Sequence, residues 1–174
     1  MKQNKVKIYT AITGGIGSGK STVMSMIRKM GFPVFSADKI AKDIYLDKEI
    51  AQKTIYLFPD CFAGGVLDRK KLAAAVFADR EKLKKLDAIT HPAIMKKMFE
   101  KAEKEETRFV FFEVPLLFEG GYEHLFDHVI VVMRNEEARI RAVAMRDGLS
   151  KEEILSRIKN QSLYEKIDLS GHTV

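Results

Sequence analysis

A scarcity of cysteine and the absence of long apolar runs narrow what this protein can be. Cys61 is the only cysteine among 174 residues, which excludes a disulfide framework and a multi-cysteine zinc site. No apolar run approaches the roughly 18 residues that a membrane-spanning helix needs. The lysine-rich start leads into a short alternating segment and then into glycines, unlike a signal peptide. We therefore expect a cytoplasmic protein with no membrane segment.

The composition is that of a folded chain that favours acidic ligands. Hydrophobic residues make up 46% of the sequence and charged residues 31%, which argues against disorder, and the length fits one domain. The 30 lysines and arginines exceed the 24 acidic residues, so nucleotides, phosphorylated metabolites and nucleic acids all suit the charge. Nucleic acid gains little support, because aromatic residues do not interleave with the lysines at 82–85 and 96–97.

The apolar pattern predicts strands that alternate with helices. Strand signals cover residues 6–13, 33–35, 109–113 and 128–133, and helical patterns cover 20–30, 37–45, 136–146 and 151–161. A helical stretch without strand signals fills residues 47–104, and His91-Pro92 is predicted to open a new helix within it. The alternation indicates a parallel α/β sheet with right-handed crossovers, and the long helical stretch indicates an insertion.

Capping residues and apolar spacing add local detail. Ser36, Asp68 and Asp79 are predicted N-caps, and Ser150 with Glu153 has capping-box spacing. In the first helix, Val23, Ile27 and Met30 are predicted to share one face at core spacing. The methionines Met24, Met26 and Met30 are interpreted as core packing. Cys61 is interpreted as a small buried residue.

A glycine-rich phosphate loop lies between the first strand and the first helix. Residues 14–22 read GGIGSGKST and match the pattern G-x-x-x-x-G-K-[ST] in full. Glycines let successive backbone N–H groups face phosphate oxygens, and the helix N-terminus adds partial positive charge. Lys20 is expected to reach the β- and γ-phosphates, and the Ser21 hydroxyl is expected to bind Mg²⁺. The predicted ATP-binding residues of the loop are Gly15, Ile16, Gly17, Ser18, Gly19, Lys20, Ser21 and Thr22.

The rest of the chain decides between a switch, a motor and a kinase. A GTPase switch needs a late Asn-Lys-x-Asp, which is missing, and the Asp-x-x-Gly spacing at 168–171 lies at the far C-terminus. A motor ATPase needs an acidic pair after a hydrophobic strand, but Glu113 is followed by Val114 and Pro115. A small-molecule kinase needs a base and arginines near the loop, at the carboxyl edge of the sheet, where such folds bind ligands.

Candidates for these kinase roles are present. Asp38 follows the second strand and could accept a hydroxyl proton, although an acidic residue in the first turn of a helix is also common for structural reasons. Arg139 and Arg146 are seven residues apart and share a helix face. Arg69 and His91 lie in the insertion, and a histidine before proline is more typical of a helix entry than of a catalyst.

In these segments the chain closely resembles the dephospho-CoA kinase family over nearly its whole length. The resemblance is carried by the phosphate loop, Ala37-Asp38-x-Ile-Ala41, Gly65-Val-Leu-Asp-Arg69, His91-Pro-x-Ile94, Val114-Pro-Leu-Leu-Phe-Glu119, Arg146-Asp-Gly-Leu-Ser150 and Arg157-Ile-x-x-Gln161. Of these, the segment after the third strand and the Leu-Asp-Arg and His-Pro elements are more specific than the loop.

The resemblance implies a fold and a reaction. The implied fold is a three-layer α/β P-loop NTPase unit over residues 1–174, with a parallel central sheet, a helical acceptor-binding insertion at 47–104 and a helical lid at 136–160. The implied reaction moves the γ-phosphoryl group of ATP, with Mg²⁺, to the ribose 3′-hydroxyl of dephospho-CoA. No nucleic-acid or membrane partner is implied, and the oligomeric state is left open.

The resemblance also assigns roles to residues. It makes Asp38 the catalytic base and Arg146 a lid arginine that steadies phosphoryl charge beside Lys20. Arg139 is expected at the ATP, and either Arg139 or Arg141 could replace the family arginine that is Ala142 here. The acceptor is expected to contact Asp38, Arg69, His91, Pro115, Leu116 and Leu117.

Departures from the family pattern leave alternatives. Ser36-Ala37-Asp38 stands where the family usually has Asp-Ala-Asp, and family members normally continue past the position of Val174 with a strand and a final helix. A kinase for another nucleotide or small alcohol, and a regulatory protein that binds ATP without transferring phosphate, are the other readings. Acceptor specificity distinguishes a kinase for another substrate from a dephospho-CoA kinase. An Asp38→Asn variant distinguishes a regulatory ATP-binding protein, because an activity that persists unchanged in this variant is not the implied transfer.

Overall fold

The computed structural model describes residues 6–159. The elements are β1 (Ile8–Thr13), α1 (Lys20–Lys29), β2 (Val34–Ser36), α2 (Ala37–Asp43), α3 (Lys48–Leu57), β3 (Phe62–Ala63), β4 (Val66–Leu67), α4 (Arg69–Phe77), α5 (Arg80–Ala102), β5 (Phe109–Glu113), β6 (His128–Val131), α6 (Glu136–Asp147) and α7 (Lys151–Lys159). Short 3₁₀ turns cover Ile44–Leu46, Pro59–Cys61 and Glu123–Leu125. The features predicted at residues 160–174 lie outside the described residues.

Residues Ala37–Glu103 form one compact unit, and the described residues before and after them form the other. The unit formed by residues 6–36 and 104–159 contains a four-stranded parallel sheet in the order β2-β5-β1-β6. This confirms the prediction of a parallel α/β fold. Because all four strands run in the same direction, their carboxyl ends share one edge of the sheet.

The two faces of the sheet are covered differently. On one face, Ile12, Val34 and Phe111 pack with Met24 and Ile27 of α1. On the other face, the ring of Phe112 is fully buried and meets the rings of Tyr9, Phe35 and Phe126. In the two central strands, Ala11, Ile12, Val110 and Phe112 are fully buried.

The core side of α1 differs from the prediction at two methionines. Met24 and Ile27 are buried as expected, but Met26 is 58% exposed and Met30 is 70% exposed. Residue 26 is turned about 100° from residue 27 around the helix axis, away from the buried side. Met30 is the C-cap residue of α1 and lies four positions after the exposed Met26, on the same side of the helix.

The unit Ala37–Glu103 is mostly helical and has its own core. That core contains Phe58, Cys61, Leu72, Val76 and Leu86, so Cys61 is buried as predicted. Asp47, Asp68 and Asp79 each accept two backbone N–H bonds at the start of α3, α4 and α5, which confirms the predicted caps at 68 and 79.

Two expectations for this unit were wrong. Phe62–Ala63 and Val66–Leu67 form a small antiparallel hairpin in a stretch where no strand was expected, since two-residue strands are too short to show alternation. His91-Pro92 does not open a helix, because α5 is already capped by Asp79 and runs through Pro92 to Ala102. A proline inside a helix removes one backbone hydrogen bond, and this long helix tolerates the loss.

The last two described helices pack against each other. Asn135 caps α6 through a 2.9 Å bond from the N–H of Ala138. Ser150 and Glu153 form the predicted capping box, with reciprocal bonds of 2.8 and 3.2 Å at the start of α7. Val143, Ile154 and Ile158 form the buried contact between the two helices. Within residues 6–159, every helix is too short or too polar to cross a membrane.

Candidate active site

The phosphate loop connects the carboxyl end of β1 to the first residue of α1. Gly14 has φ near +146°, a conformation that other residues rarely adopt, and a methyl group there would collide with the Val132 carbonyl at the end of β6. The N–H of Ser18 donates to the Gly15 carbonyl at 3.2 Å, which closes the turn. The loop is therefore held against the sheet edge by backbone contacts that require glycine.

The Lys20 side chain folds back over this loop. Its ammonium group donates to the carbonyl oxygens of Gly14 and Gly15, the second at 3.0 Å. An ammonium group has three donors and rotates freely about its stem, so it can exchange a carbonyl for a phosphate oxygen. The charge that the sequence predicted for the β- and γ-phosphates thus lies directly on the loop.

Arg139 brings a second positive charge to the loop from α6. Its Nε donates to the Ile16 carbonyl at 2.9 Å, and its Nη2 would lie only 2.5 Å from a methyl group placed on Gly15. The side chain is 9% exposed, and no carboxylate within residues 6–159 pairs with it. A buried guanidinium without a counter-ion is costly, so this site favours an anion.

Ser18 gives a further sign that the loop fits an anionic ligand. Its hydroxyl is the only buried side-chain polar atom without a hydrogen-bond partner in the described part of the chain. An unsatisfied buried hydroxyl costs about 1–3 kcal/mol, and a phosphate oxygen would remove that cost. The donor set of the loop therefore fits a polyphosphate.

Arg146 does not join Arg139 at the loop. It occupies the last turn of α6, and its Nε and Nη2 donate to the carboxylate of Asp147 at 2.7 and 2.8 Å. This hydrogen-bonded pair raises the pKa of Arg146 and lowers the pKa of Asp147. Although the two arginines were predicted to share a helix face, Arg139 contacts the phosphate loop and Arg146 contacts Asp147.

The segment after β5 offers fewer side chains than the sequence predicted. Leu117 is fully buried, whereas Leu116 is 43% exposed and Pro115 is partly exposed. A ligand can reach the side chains of Pro115 and Leu116, while the Leu117 side chain belongs to the core.

The remaining predicted residues lie in the unit Ala37–Glu103. Asp38 is exposed in the first turn of α2. The Arg69 guanidinium lies 5.9 Å from the ring centroid of Tyr45 and donates to the Lys42 carbonyl. His91 Nε2 lies 3.3 Å from Asp87 Oδ1.

Tyr45 and Asp87 are partners that the sequence analysis missed. Burial raises the pKa of Tyr45, and the nearby Arg69 opposes that rise. The negative charge of Asp87 also raises the pKa of Tyr45. Asp87 in turn contacts His91, so a single polar cluster contains Tyr45, Arg69, Asp87 and His91. The i, i+4 spacing of Asp87 and His91 was a usable signal, whereas nothing in the local pattern marked Tyr45.

The described residues offer no cage for a metal ion. No group of three or more His, Cys, Asp or Glu side chains suited to a metal occurs within residues 6–159. Mg²⁺ usually keeps several waters and binds through one or two protein groups plus substrate phosphates. The exposed Ser21 hydroxyl, at the start of α1, fits that mode of binding.

An Arg139→Met variant is expected to weaken ATP binding at least about tenfold, because a charge-assisted contact is worth about 1.5–3 kcal/mol. Stability without nucleotide should change by less than about 1 kcal/mol, since removing a buried, unpaired charge offsets the lost bond to Ile16. Calorimetric titration and thermal unfolding measure the two quantities. Arg141→Met is the control, because Arg141 is exposed and pairs with Glu137 at 3.8 Å. Unchanged ATP affinity in Arg139→Met would contradict the assignment.

Comparison with known proteins adds information that the geometry does not contain. The family model described as dephospho-CoA kinase matches residues 8–172. The dephospho-CoA kinase of Thermus thermophilus is 43% identical over 157 residues, which cover 90% of this chain and 76% of that protein. The dephospho-CoA kinase of Fusobacterium nucleatum is 38% identical over 164 residues, covering 91% and 85%.

Solved structures agree with the sequence comparison. The crystal structure of TT1252 from Thermus thermophilus matches with a TM-score of 0.79 and 42% identity, covering 90% of this chain and 81% of that chain. Dephospho-CoA kinase from Campylobacter jejuni matches with a TM-score of 0.66 and 34% identity, covering 97% and 86%.

Proposed function

The chain belongs to the dephospho-CoA kinase family, and from this premise we propose how its residues phosphorylate dephospho-CoA. It is a kinase that catalyses the last step of coenzyme A synthesis. The phosphoryl group comes from the γ-position of ATP, and the acceptor is the ribose 3′-hydroxyl. The observation that carries the proposal is the phosphate loop, where Lys20 and the buried Arg139 both bond loop carbonyls.

ATP binding follows from the donors around this loop. Backbone N–H groups of the phosphate loop, the Lys20 ammonium and the Arg139 guanidinium all favour the triphosphate. The Ser21 hydroxyl would hold Mg²⁺, which when bound neutralises charge on the β- and γ-phosphates. With these charges balanced, the γ-phosphorus becomes open to attack by an anionic acceptor.

The transfer step needs a base and a stabiliser of phosphoryl charge. Asp38, exposed at the start of α2, accepts the proton of the 3′-hydroxyl. At the same time the hydroxyl oxygen bonds to the γ-phosphorus, and the bond between the γ-phosphorus and the β-phosphate oxygen breaks. Lys20 and Arg146 stabilise the charge on the transferred group. Arg146 has to exchange part of its pairing with Asp147 for phosphate oxygens to do so.

The acceptor is assigned to the insertion at 47–104, to Asp38 and to the segment after β5. Arg69 and His91 contribute positive or hydrogen-bonding groups, while Pro115 and Leu116 offer apolar contact. Residues 136–160 act as the lid over ATP. A cytoplasmic location, with only small-molecule substrates, fits the single buried cysteine.

Acceptor specificity tests this function directly. In the presence of ATP and Mg²⁺, turnover is expected with dephospho-CoA and not with adenosine, AMP or CMP. Mass spectrometry and nuclear magnetic resonance of the product should show one phosphate on the ribose 3′-oxygen. Turnover mainly with a rival acceptor would contradict the substrate, and ATP binding without any turnover would favour a regulatory ATP-binding protein.

A further inference from the structure

The ring of Tyr45 contacts Arg69, which is assigned to the acceptor, yet the proposed mechanism gives Tyr45 no role. Tyr45 belongs to the 3₁₀ turn Ile44–Leu46, which lies between α2 and α3. Its side chain is partly buried and packs against the buried core of the unit Ala37–Glu103. The ring therefore has a fixed place in this unit.

The Arg69 guanidinium makes two contacts that orient it without neutralising its charge. Its central carbon lies 5.9 Å from the centroid of the Tyr45 ring, within the range of a cation–π contact. The guanidinium also donates to the carbonyl of Lys42, in the last turn of α2. The last carbonyls of a helix lack intrahelical donors and carry partial negative charge, so both contacts favour a cation.

Donors of Arg69 remain available to a ligand. Arg69 is exposed, and no carboxylate in the described part of the chain forms an ion pair with it. A guanidinium presents its N–H donors in a planar fork that matches the oxygens of a phosphate. An arginine that is already oriented by a ring and a carbonyl loses less side-chain freedom when it binds an anion.

The Tyr45 hydroxyl remains neutral, so the ring face and not a phenolate acts on Arg69. Burial raises the pKa of Tyr45, the charge of Arg69 opposes that rise, and the charge of Asp87 adds to it. Because the resulting pKa lies above the ordinary value for tyrosine, the side chain carries no charge at neutral pH. The contact therefore depends on the aromatic face.

We propose that Tyr45 is a positioning residue for the acceptor, and that its ring holds Arg69 in the orientation that binds a phosphate group of dephospho-CoA. Tyr45 acts through Arg69 and does not itself contact the acceptor. The inference rests on the proposed role of Arg69 in acceptor binding.

A double-mutant cycle tests whether Tyr45 acts through Arg69. The dissociation constant of dephospho-CoA is measured by calorimetry in the presence of Mg²⁺ and a non-hydrolysable ATP analogue. Arg69→Met is expected to weaken binding about tenfold or more, and Tyr45→Leu about threefold to tenfold. Adding Tyr45→Leu to Arg69→Met is expected to cause no further loss, because the ring then has no guanidinium to orient.

Variants of the ring separate its electrostatic effect from its packing. Tyr45→Phe is expected to stay within about twofold of wild type, because it keeps the aromatic face. A ring-fluorinated phenylalanine at position 45 keeps the shape but weakens the negative charge of the face, so it should lose about as much affinity as Tyr45→Leu. This variant replaces Tyr45→Leu if leucine destabilises the fold.

Tyr56→Leu is the matched control. Tyr56 is a tyrosine of the same unit, lies in α3 and is 85% exposed. Its replacement should leave the affinity for dephospho-CoA within about twofold. Equal thermal unfolding midpoints establish that the compared variants are folded.

The outcomes separate this inference from the proposed function. Additive losses in the double variant, full affinity in Arg69→Met or in the fluorinated variant, or a loss in Tyr45→Phe as large as in Tyr45→Leu would each overturn the role of Tyr45. Any of these results in a protein that phosphorylates dephospho-CoA leaves the proposed function intact. If the cycle gives the expected losses but wild-type protein does not phosphorylate dephospho-CoA, the proposed function is wrong and the role of Tyr45 in binding stands.

Discussion

Replacing Asp38 with asparagine should lower kcat for phosphorylation of dephospho-CoA by about two to four orders of magnitude. Asparagine keeps the size of the side chain but cannot take the proton of the attacking hydroxyl. The affinity for ATP should remain within about threefold, because Asp38 is exposed at the start of α2 and has no part in the phosphate loop. Product formation followed by chromatography, together with calorimetric titration of ATP, measures both quantities.

Asp43→Asn is the matched control for that change. Asp43 is also exposed, lies on the same helix and makes no side-chain cap bond. Its replacement should leave kcat within about twofold, as expected of a surface substitution. Asp38→Asn with a kcat within tenfold of wild type would exclude Asp38 as the base.

Replacing Lys20 with methionine should lower kcat/KM about a thousandfold, with losses in both ATP affinity and kcat. The ammonium group provides charge to the phosphates in the ground state, and more strongly in the transition state. Methionine retains the length and apolar stem of lysine, so the difference isolates the charge and its bonds to the carbonyls of Gly14 and Gly15. Steady-state kinetics with varied ATP and calorimetry provide the measurements.

Lys29→Met controls for the loss of one positive charge from α1. Lys29 is exposed in the last turn, at the end of the helix away from the loop. Its replacement should leave kcat/KM within about twofold. A Lys20→Met enzyme that binds ATP and turns over as well as the Lys29→Met control would contradict the assigned role of the phosphate loop.

Much of the fold was predictable because local chemistry decides it. The strand at Phe109–Glu113 was predicted to the residue, since an apolar run bounded by polar residues leaves little freedom in its ends. The caps at Asp68, Asp79 and Ser150 depend on side chains two or three residues from their donors. The phosphate loop is likewise specified by a contiguous pattern.

What the sequence did not reveal depends on contacts between distant residues. The bond from Arg139 to Ile16 joins residues 123 positions apart, so periodicity could suggest a basic helix face but not its partner. The position of Glu113 beside Ile12 and Ser36 requires the strand order, which the pattern of elements leaves open. The proposed role of Asp38 as the base came from family resemblance, because an acidic residue in the first turn of a helix is equally common for its favourable interaction with the helix dipole.

The order of strands in the sheet has a consequence for biosynthesis of the protein. Ile8 of β1 pairs with Phe109 of β5, about a hundred residues later in the chain, and ribosomes add about 5–20 residues per second. The apolar strand β1 therefore waits on the order of 5–20 s for its first neighbour, while the helices between them are already available to form. Arg139 is synthesised later still, so a nascent chain completes the surroundings of its phosphate loop only after residue 139 has been added. We expect residues 8–13 to need protection from aggregation until β5 is made, and we expect full ATP affinity only after Arg139 is in place.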